Sequence, residues 1–356
     1  MRTMLKIAAG FFGIVFLVGC LLYGLIVSGY IGFSPDDEHV RVTTEIVLRK
    51  KAIAVDRGPH ALFVLGGSSA FGISAQQMES ALGIPVRNLA IHAGLGLKYL
   101  FFLAREQLQP GDSVLLSLEY MHYVLEKEST LEWGPLVSFQ SSPEYVRELS
   151  YLEQIKYIAE LFVSEERGAF TWRPSNPSQS AIEEKTPYIN QWGDFVFDPN
   201  TTIDPKELNQ SIHSFRRFYV NAMTSLLQNK TTIESRSGAK LIVDFVKWCK
   251  HHGVTVLMVF PSSAKFSDNE DVVVDKVGKM ILSFYDNIDV KTLVNIHSSQ
   301  FRNIFLFNTF YHLNEKGRNV WTDLIIKSIL SRDLHKLNSS SLNDTKIYCK
   351  VADGNL

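Results

Sequence analysis

The stretch 61–74, "ALFVLGGSSAFGIS", runs from an apolar segment into two glycines and two serines. Apolar residues that stop at Gly66-Gly67 predict a buried strand closed by a tight turn. The next stretch, "SAQQMESAL" (74–82), predicts a helix that Ser74 caps. The alternation repeats downstream. "VRNLAI" (86–91) reads as a second strand, and "LGLKYLFFLAREQL" (95–108) as a helix with Leu97, Leu100, Phe101, Ala104 and Leu108 on one face. "QPGD" (109–112) is a turn, and "SVLLSLEY" (113–120) a third strand whose near-continuous apolar run predicts burial on both sides. Residues 121–235 are irregular and contain Trp133, Trp172 and Trp192. Regularity then resumes with a helix (239–252), a strand "VTVLMVFP" (254–261), a helix around 272–285, a strand "NIFLFN" (303–308) and a final helix (314–330). Strands alternating with helices of this length predict an α/β fold with a parallel, doubly wound sheet and right-handed crossovers.

The 356 residues carry a formal net charge of −1, which leaves no electrostatic footprint for nucleic acid. Three cysteines make neither a disulfide framework nor a zinc site. Cys20 lies in the apolar N-terminus; Cys249 and Cys349 are either one disulfide or two free thiols. From Ile7 to Ser34 there is no Asp, Glu, Lys or Arg. That run exceeds the roughly 20 residues a spanning helix needs. It is also longer than a signal-peptide core of about 7–15 residues. "LVGC" (17–20) resembles a lipoprotein box, but apolar "LLYGLIV" follows it where such a protein turns polar. Arg2 and Lys6 precede the run while Asp36, Asp37 and Glu38 follow it, which orients the N-terminus inward. The expected organisation is a cytoplasmic end (1–6), one transmembrane helix (7–33), a stalk with some helix (34–57), an extracytoplasmic α/β domain (58–335) with an insertion at 121–235, and a polar tail (336–356). The domain would be periplasmic or extracellular.

Ligands of doubly wound sheets bind at the carboxyl ends of the strands. Those ends carry Gly66-Gly67-Ser68-Ser69, His92-Ala93-Gly94 and Glu119-Tyr120, with Asn308, Tyr311 and His312 after the last. A serine, a histidine and close-approach glycines are the parts of nucleophilic acyl transfer: a base to take the hydroxyl proton and N–H donors for the oxyanion. His251-His252 ends a helix and has no ligand company, so no metal and no cofactor are expected.

This constellation resembles the SGNH (GDSL-like) hydrolase superfamily. Its first block is Gly-Asp-Ser with a glycine four residues on, and "GGSSAFG" aligns Ser68 with the nucleophile and Gly72 with that glycine. Gly67 stands where the family has aspartate. "NLAIHAGLG" supplies Gly94, or alternatively Gly96, as the oxyanion glycine, and "NTFYHLNEKG" places His312 before the final helix. The resemblance implies a flavodoxin-like three-layer α/β/α sandwich, with Ser68 and His312 as the catalytic pair. Gly67, Gly94, Glu119 and Tyr120 would face the oxyanion or substrate. It also implies an envelope-bound esterase or O-acyltransferase acting on acyl groups, acetyl above all, of cell-surface glycans, beside a multispanning acyl donor.

Two positions depart from the family. Thr309 replaces the aspartate three residues before the histidine, leaving Asn308 to orient the ring, and Glu119 occupies the oxyanion asparagine's place. Loss of a triad carboxylate costs around 10⁴ in turnover where the tautomer goes wrong. The alternative is therefore a catalytically degenerate binding or assembly protein of a polysaccharide system. Other features have bland readings too: His92 as a rim residue, Glu119–Tyr120 as an internal pair, and the tryptophans as a small core rather than a sugar platform. The sequons at Asn200 and Asn229 matter only in a eukaryotic lumen.

Overall fold

The structure is a computed structural model that describes residues 13, 17–26, 28, 31–34, 37–55, 60–128, 130–163, 169–172, 189–197 and 203–340. Trp172's side chain, the Asn200 sequon, Cys349, part of the 7–33 stretch and the tail beyond 340 lie outside these. Among the described residues no helix is long and apolar enough to cross a membrane.

Five strands form one parallel sheet: β1 (Leu62–Gly66), β2 (Val86–Asn88), β3 (Ser113–Ser117), β4 (Thr255–Met258) and β5 (Lys291–Thr292). Their order is β2-β1-β3-β4-β5. Leu62 lies opposite both Val86 and Ser113, and Ser113 opposite Thr255. All of β1 is buried, as its unbroken apolar run requires. The order reverses between β1 and β3, so the switch point, where doubly wound sheets bind ligands, lies beside Gly66 and Ser117.

The helices are α1 (Glu38–Val55), α2 (Ala75–Leu82), α3 (Leu97–Gln107), α4 (Gly134–Ser141), α5 (Tyr151–Val163), α6 (Pro205–Gln228), α7 (Ser237–His251), α8 (Asp271–Asn287) and α9 (Glu315–Ser340). Ser74 caps α2 as expected, accepting from Gln77 N at 3.2 Å, while its own N–H donates to Thr322 on α9 at 3.0 Å. On α3 and α7, Phe101 and Phe245 stack with centroids 4.2 Å apart. The separate α2/α9 and α3/α7 pairings are consistent with three α/β/α layers.

Three expectations need correction. "NIFLFN" is not a strand: Asn303–Phe305 is a 3-10 turn, and Leu306 makes one isolated bridge to Leu313. The fifth strand is instead the two-residue Lys291–Thr292, which has no apolar run to announce it. The segment read as a stalk is mostly α1, and it packs on the domain. Val40 and Val47 join Phe102, Leu136 and Phe139 in a second apolar cluster between α1, α3 and α4, and Lys51 pairs with Glu144 at 2.9 Å. Cys249 is a buried free thiol, its pKa pushed up to about 12 by burial.

The insertion sends one segment, 189–197, back across the sheet edge. Asn88 N donates to Trp192 O at 2.8 Å, and the Trp192 indole donates to Glu79 at 2.8 Å, a packing role rather than a sugar platform. Buried Asp194 accepts from Ala75 N (2.7 Å), Gln76 N (3.0 Å), the Ser74 hydroxyl (3.2 Å) and the Asn88 amide (3.3 Å). It meets the bare N–H groups of α2's first turn, where a carboxylate is most favourable. Asp194→Ala, which strands these buried donors, is expected to lower stability by about 2–3 kcal/mol. Urea unfolding checks this, and an unchanged midpoint would show the segment to be an ornament.

Candidate active site

β1 ends at Gly66 with φ +149°, where a Cβ would stand 2.1 Å from Ser117 O. Only glycine lets β1 and β3 close together here. The chain then enters a one-turn helix, Ser69–Gly72, with Ser68 at its N-cap position. Ser68 is 3% exposed, and its hydroxyl and that of Ser69 have no hydrogen-bond partner. No hydrogen bond links Ser68 to His312.

Glu119, at the end of β3, reaches back to this turn. Its Oε1 accepts the N–H of Gly67 at 3.1 Å and, more closely, the N–H of Ser68. The N–H groups expected to face an oxyanion are thus held by the protein's own carboxylate. Gly67 is required by the same contact: a Cβ there would lie 2.8 Å from Glu119 Oε1 and 2.4 Å from Ala93 N. The other Glu119 oxygen faces His122 Nε2 at 3.6 Å, an ion-pair distance rather than a hydrogen bond, while His122 Nδ1 binds Glu128 Oε1 at 2.9 Å. Glu128 in turn accepts Leu97 N, at the start of α3, at 3.0 Å. Burial alone would push the His122 pKa down; Glu128 and Glu119 overcome it and raise it to about 9. Burial opposes ionisation of Glu119, but His122 and the Ser68 N–H hold its pKa below the usual carboxylate value. The site contains a charged buried cluster.

His312 is half-buried on the other side of the rim. Its Nδ1 lies 2.8 Å from Asn308 Oδ1. Its ring stacks on Phe71, with centroids 4.0 Å apart and planes 15° apart. Phe71 follows Ser68 by three residues, so the serine turn and the histidine share one wall. Burial pushes the His312 pKa well down, His92 adds repulsion, and Glu119 pulls the other way. An amide oxygen only accepts, so Nδ1 carries the hydrogen and the neutral ring's lone pair sits on Nε2.

The remaining expected residues divide. Gly94 is at the rim, but its N–H donates to His92 Nδ1 at 3.0 Å, and a Cβ on it would strike Leu131 at 2.3 Å. His92 packs edge-on to Trp133 with centroids 5.0 Å apart, and burial lowers its pKa. Tyr120 turns into the core among Tyr219, Phe266 and Tyr311. Among the described residues no group of histidines, cysteines and carboxylates could hold a metal.

Sequence reasoning stopped at Glu119–Tyr120 and missed His122 and Glu128. The signal was present in "EYMHYVLEKE" (119–128), three acids and a histidine directly after a strand's carboxyl end. Lys50 was missed as well: it is buried on α1, donates to Ala90 O, and has its pKa lowered to about 7 by burial.

No family model matches the chain, and no curated protein matches it. Among solved structures, the crystal structure of the Bacillus subtilis protein YxiM is similar at 10% identity and a TM-score of 0.37. The match covers 78% of this chain and 58% of that one, so the chain spans little more than half its length. A likeness at this level carries no weight for the site.

The buried cluster makes stability depend on pH. A histidine whose folded pKa lies above its unfolded value of roughly 6.5 stabilises fully below that value and progressively less as pH rises through the folded pKa. For His122 that loss begins near pH 6.5 and is nearly complete at the folded pKa of about 9. Between about pH 6.5 and 9.5, the wild-type urea midpoint is expected to fall more steeply than that of His122→Gln. Parallel curves would show that His122 does not titrate in this window.

Proposed function

We propose that the chain is a serine esterase or O-acyltransferase of SGNH type, acting on acyl groups, acetyl first among them, of cell-envelope glycans. It would be anchored in a membrane by 7–33, with its domain outside the cytoplasm and a multispanning acyl donor as its partner. One observation carries the reading: Asn308 Oδ1 holds His312 in the tautomer whose Nε2 is free to act as a base, and its ring stacks on Phe71, three residues past a buried serine hydroxyl with no partner. The SGNH block order and the glycine-lined turn after β1 support it.

In this mechanism a substrate carbonyl oxygen displaces Glu119 from the Ser68 N–H. The carboxylate turns towards His122, already 3.6 Å away. His312 Nε2 takes the Ser68 proton as Oγ bonds to the acyl carbon. The ester C–O bond then breaks, and the alcohol leaves with that proton. Water or a sugar hydroxyl attacks the acyl-serine by the same steps and frees Ser68. Catalytic hydrogen bonds commonly tighten only when substrate binds, so the missing Ser68–His312 bond is compatible with this course.

A second reading is favoured by a different observation. The N–H groups expected to bind an oxyanion already have internal acceptors, Glu119 for Ser68 and His92 for Gly94. On that reading the fold is a binding or assembly module.

Fluorophosphonate labelling of the full chain separates the two. The enzyme reading expects labelling at Ser68 that is lost in Ser68→Ala and reduced at least about 100-fold in His312→Ala, the usual scale for a missing general base. Glu119→Gln removes a negative charge in direct contact with the oxyanion site, while its pull on His312 acts from farther off. Labelling should therefore quicken by about tenfold, a change of about 1.4 kcal/mol in barrier. A folded protein unlabelled at Ser68 in both wild type and Glu119→Gln is the binding module.

A further inference from the structure

Helix α5 is apolar on two sides. Gln154, Tyr157 and Leu161 turn inward and are buried. Tyr151, Leu152 and Ile155 point outward, 82%, 81% and 61% exposed, and Ala159 continues their stripe. The helix's charges leave this stripe bare: Glu153 pairs with Lys98 at 2.5 Å and Lys156 with Glu160 at 3.6 Å. A water-facing helix normally reverses this pattern.

The exposed stripe does not stand alone. The helix over 17–26 lies against α5: Tyr23 donates its hydroxyl hydrogen to Gln154, and Ile26 is buried. A cleft of about 350 Å³ between the two helices is lined by Gly19, Cys20, Tyr23, Tyr151 and Ile155. Leu17 and Leu21, 67% and 63% exposed, extend the apolar surface along the first helix. Together these side chains form one contiguous patch, of the kind that soluble surfaces seldom leave open. The first helix belongs to the 28 residues from Ile7 to Ser34 that contain no charge. A segment of that length and composition is accommodated by hydrocarbon, and a surface continuous with it shares its medium.

We propose that α5 is a second membrane contact, lying in the headgroup–acyl boundary of a phospholipid bilayer beside the 7–33 anchor. Thirteen residues give a cylinder about 20 Å long, suited to lying in the plane of the interface. About 20 residues suffice to span, and counted from Ile7 they end at Ile26. Tyr23 therefore stands within one turn of the outer boundary, with Tyr151 lining the same cleft; tyrosine favours that boundary. Two contacts fix the orientation of the α/β domain over the membrane, where one anchor leaves it free to swing. The proposal rests on the anchor reading above and not on the catalytic one.

The test uses the full chain in phosphatidylcholine–phosphatidylglycerol vesicles, with Cys20 and Cys349 changed to serine and Cys249 to alanine. An environment-sensitive fluorophore is placed singly at Leu152→Cys, Ile155→Cys, Leu21→Cys, or at Lys206→Cys as an exposed control. Nitroxide-bearing lipids are expected to quench the labels at 152, 155 and 21 by at least about half and to leave 206 unchanged. If 21 is quenched while 152 and 155 behave as 206 does, the anchor stands and the second contact is overturned. Lack of quenching at 21 as well removes the anchor, and the proposal with it. Labels at 152 and 155 that shift to the blue without quenching point to a protein neighbour or a second copy, which also overturns it.

Discussion

The Glu119 carboxylate is the constraint around which the rim is built. A buried carboxylate left alone costs several kcal/mol, so every lone pair must find a donor or a cation. One oxygen takes the N–H groups of Gly67 and Ser68, and the other faces His122, which is held in turn by Glu128, which accepts from Leu97 N. This chain ties together the turn after β1, the start of α3 and the end of β3. Removing one member of such a cluster costs about 3–5 kcal/mol, because the others stay buried without a partner. The two departures from the SGNH pattern at 67 and 119 are then a single change. With Glu119 in place, a side chain at 67 meets its oxygen at 2.8 Å, and glycine is the residue that fits.

The parts of the fold that announce themselves in sequence are those with local causes. β1 and β3 are runs of buried apolar residues, the Ser74 cap lies three residues from the N–H that donates to it, and the glycine turn follows directly from the strand. The fifth strand was hidden because two residues at a sheet edge need no hydrophobic pattern. "NIFLFN" misled for the opposite reason. Its four apolar residues run together, but they serve separate neighbours: Leu306 is buried in the core, while Phe307 stands at 6.0 Å from Phe71 in the wall beside His312.

Contacts between distant segments were less legible than local ones. Ser68, Glu119 and His312 could each be named as rim residues from the ends of strands. That Glu119 lies on the Ser68 N–H depends on side-chain reach across 51 positions, which no periodicity encodes. Asp194 is harder still, a single acid in an irregular insertion that caps a helix 119 positions earlier. α1 escaped because its buried face includes Thr43 and Lys50 and so shows a weak apolar stripe.

The aspartate missing before His312 had two tasks in the pattern this chain resembles, to orient the ring and to stabilise the imidazolium. Asn308 performs the first, since its oxygen fixes the hydrogen on Nδ1 at 2.8 Å. It has no charge for the second. Glu119 is the nearest source: it raises the pKa of both His312 and His92, against burial that lowers them. The charge has therefore moved from behind the histidine to the far side of the serine turn. There it favours proton uptake by the ring but opposes an oxyanion at the Ser68 N–H. The direct contact is the stronger of the two at the shorter range, so on the proposed enzyme reading the site would be quiet while Glu119 faces Ser68. On that reading it would gain both benefits only when the carboxylate withdraws towards His122.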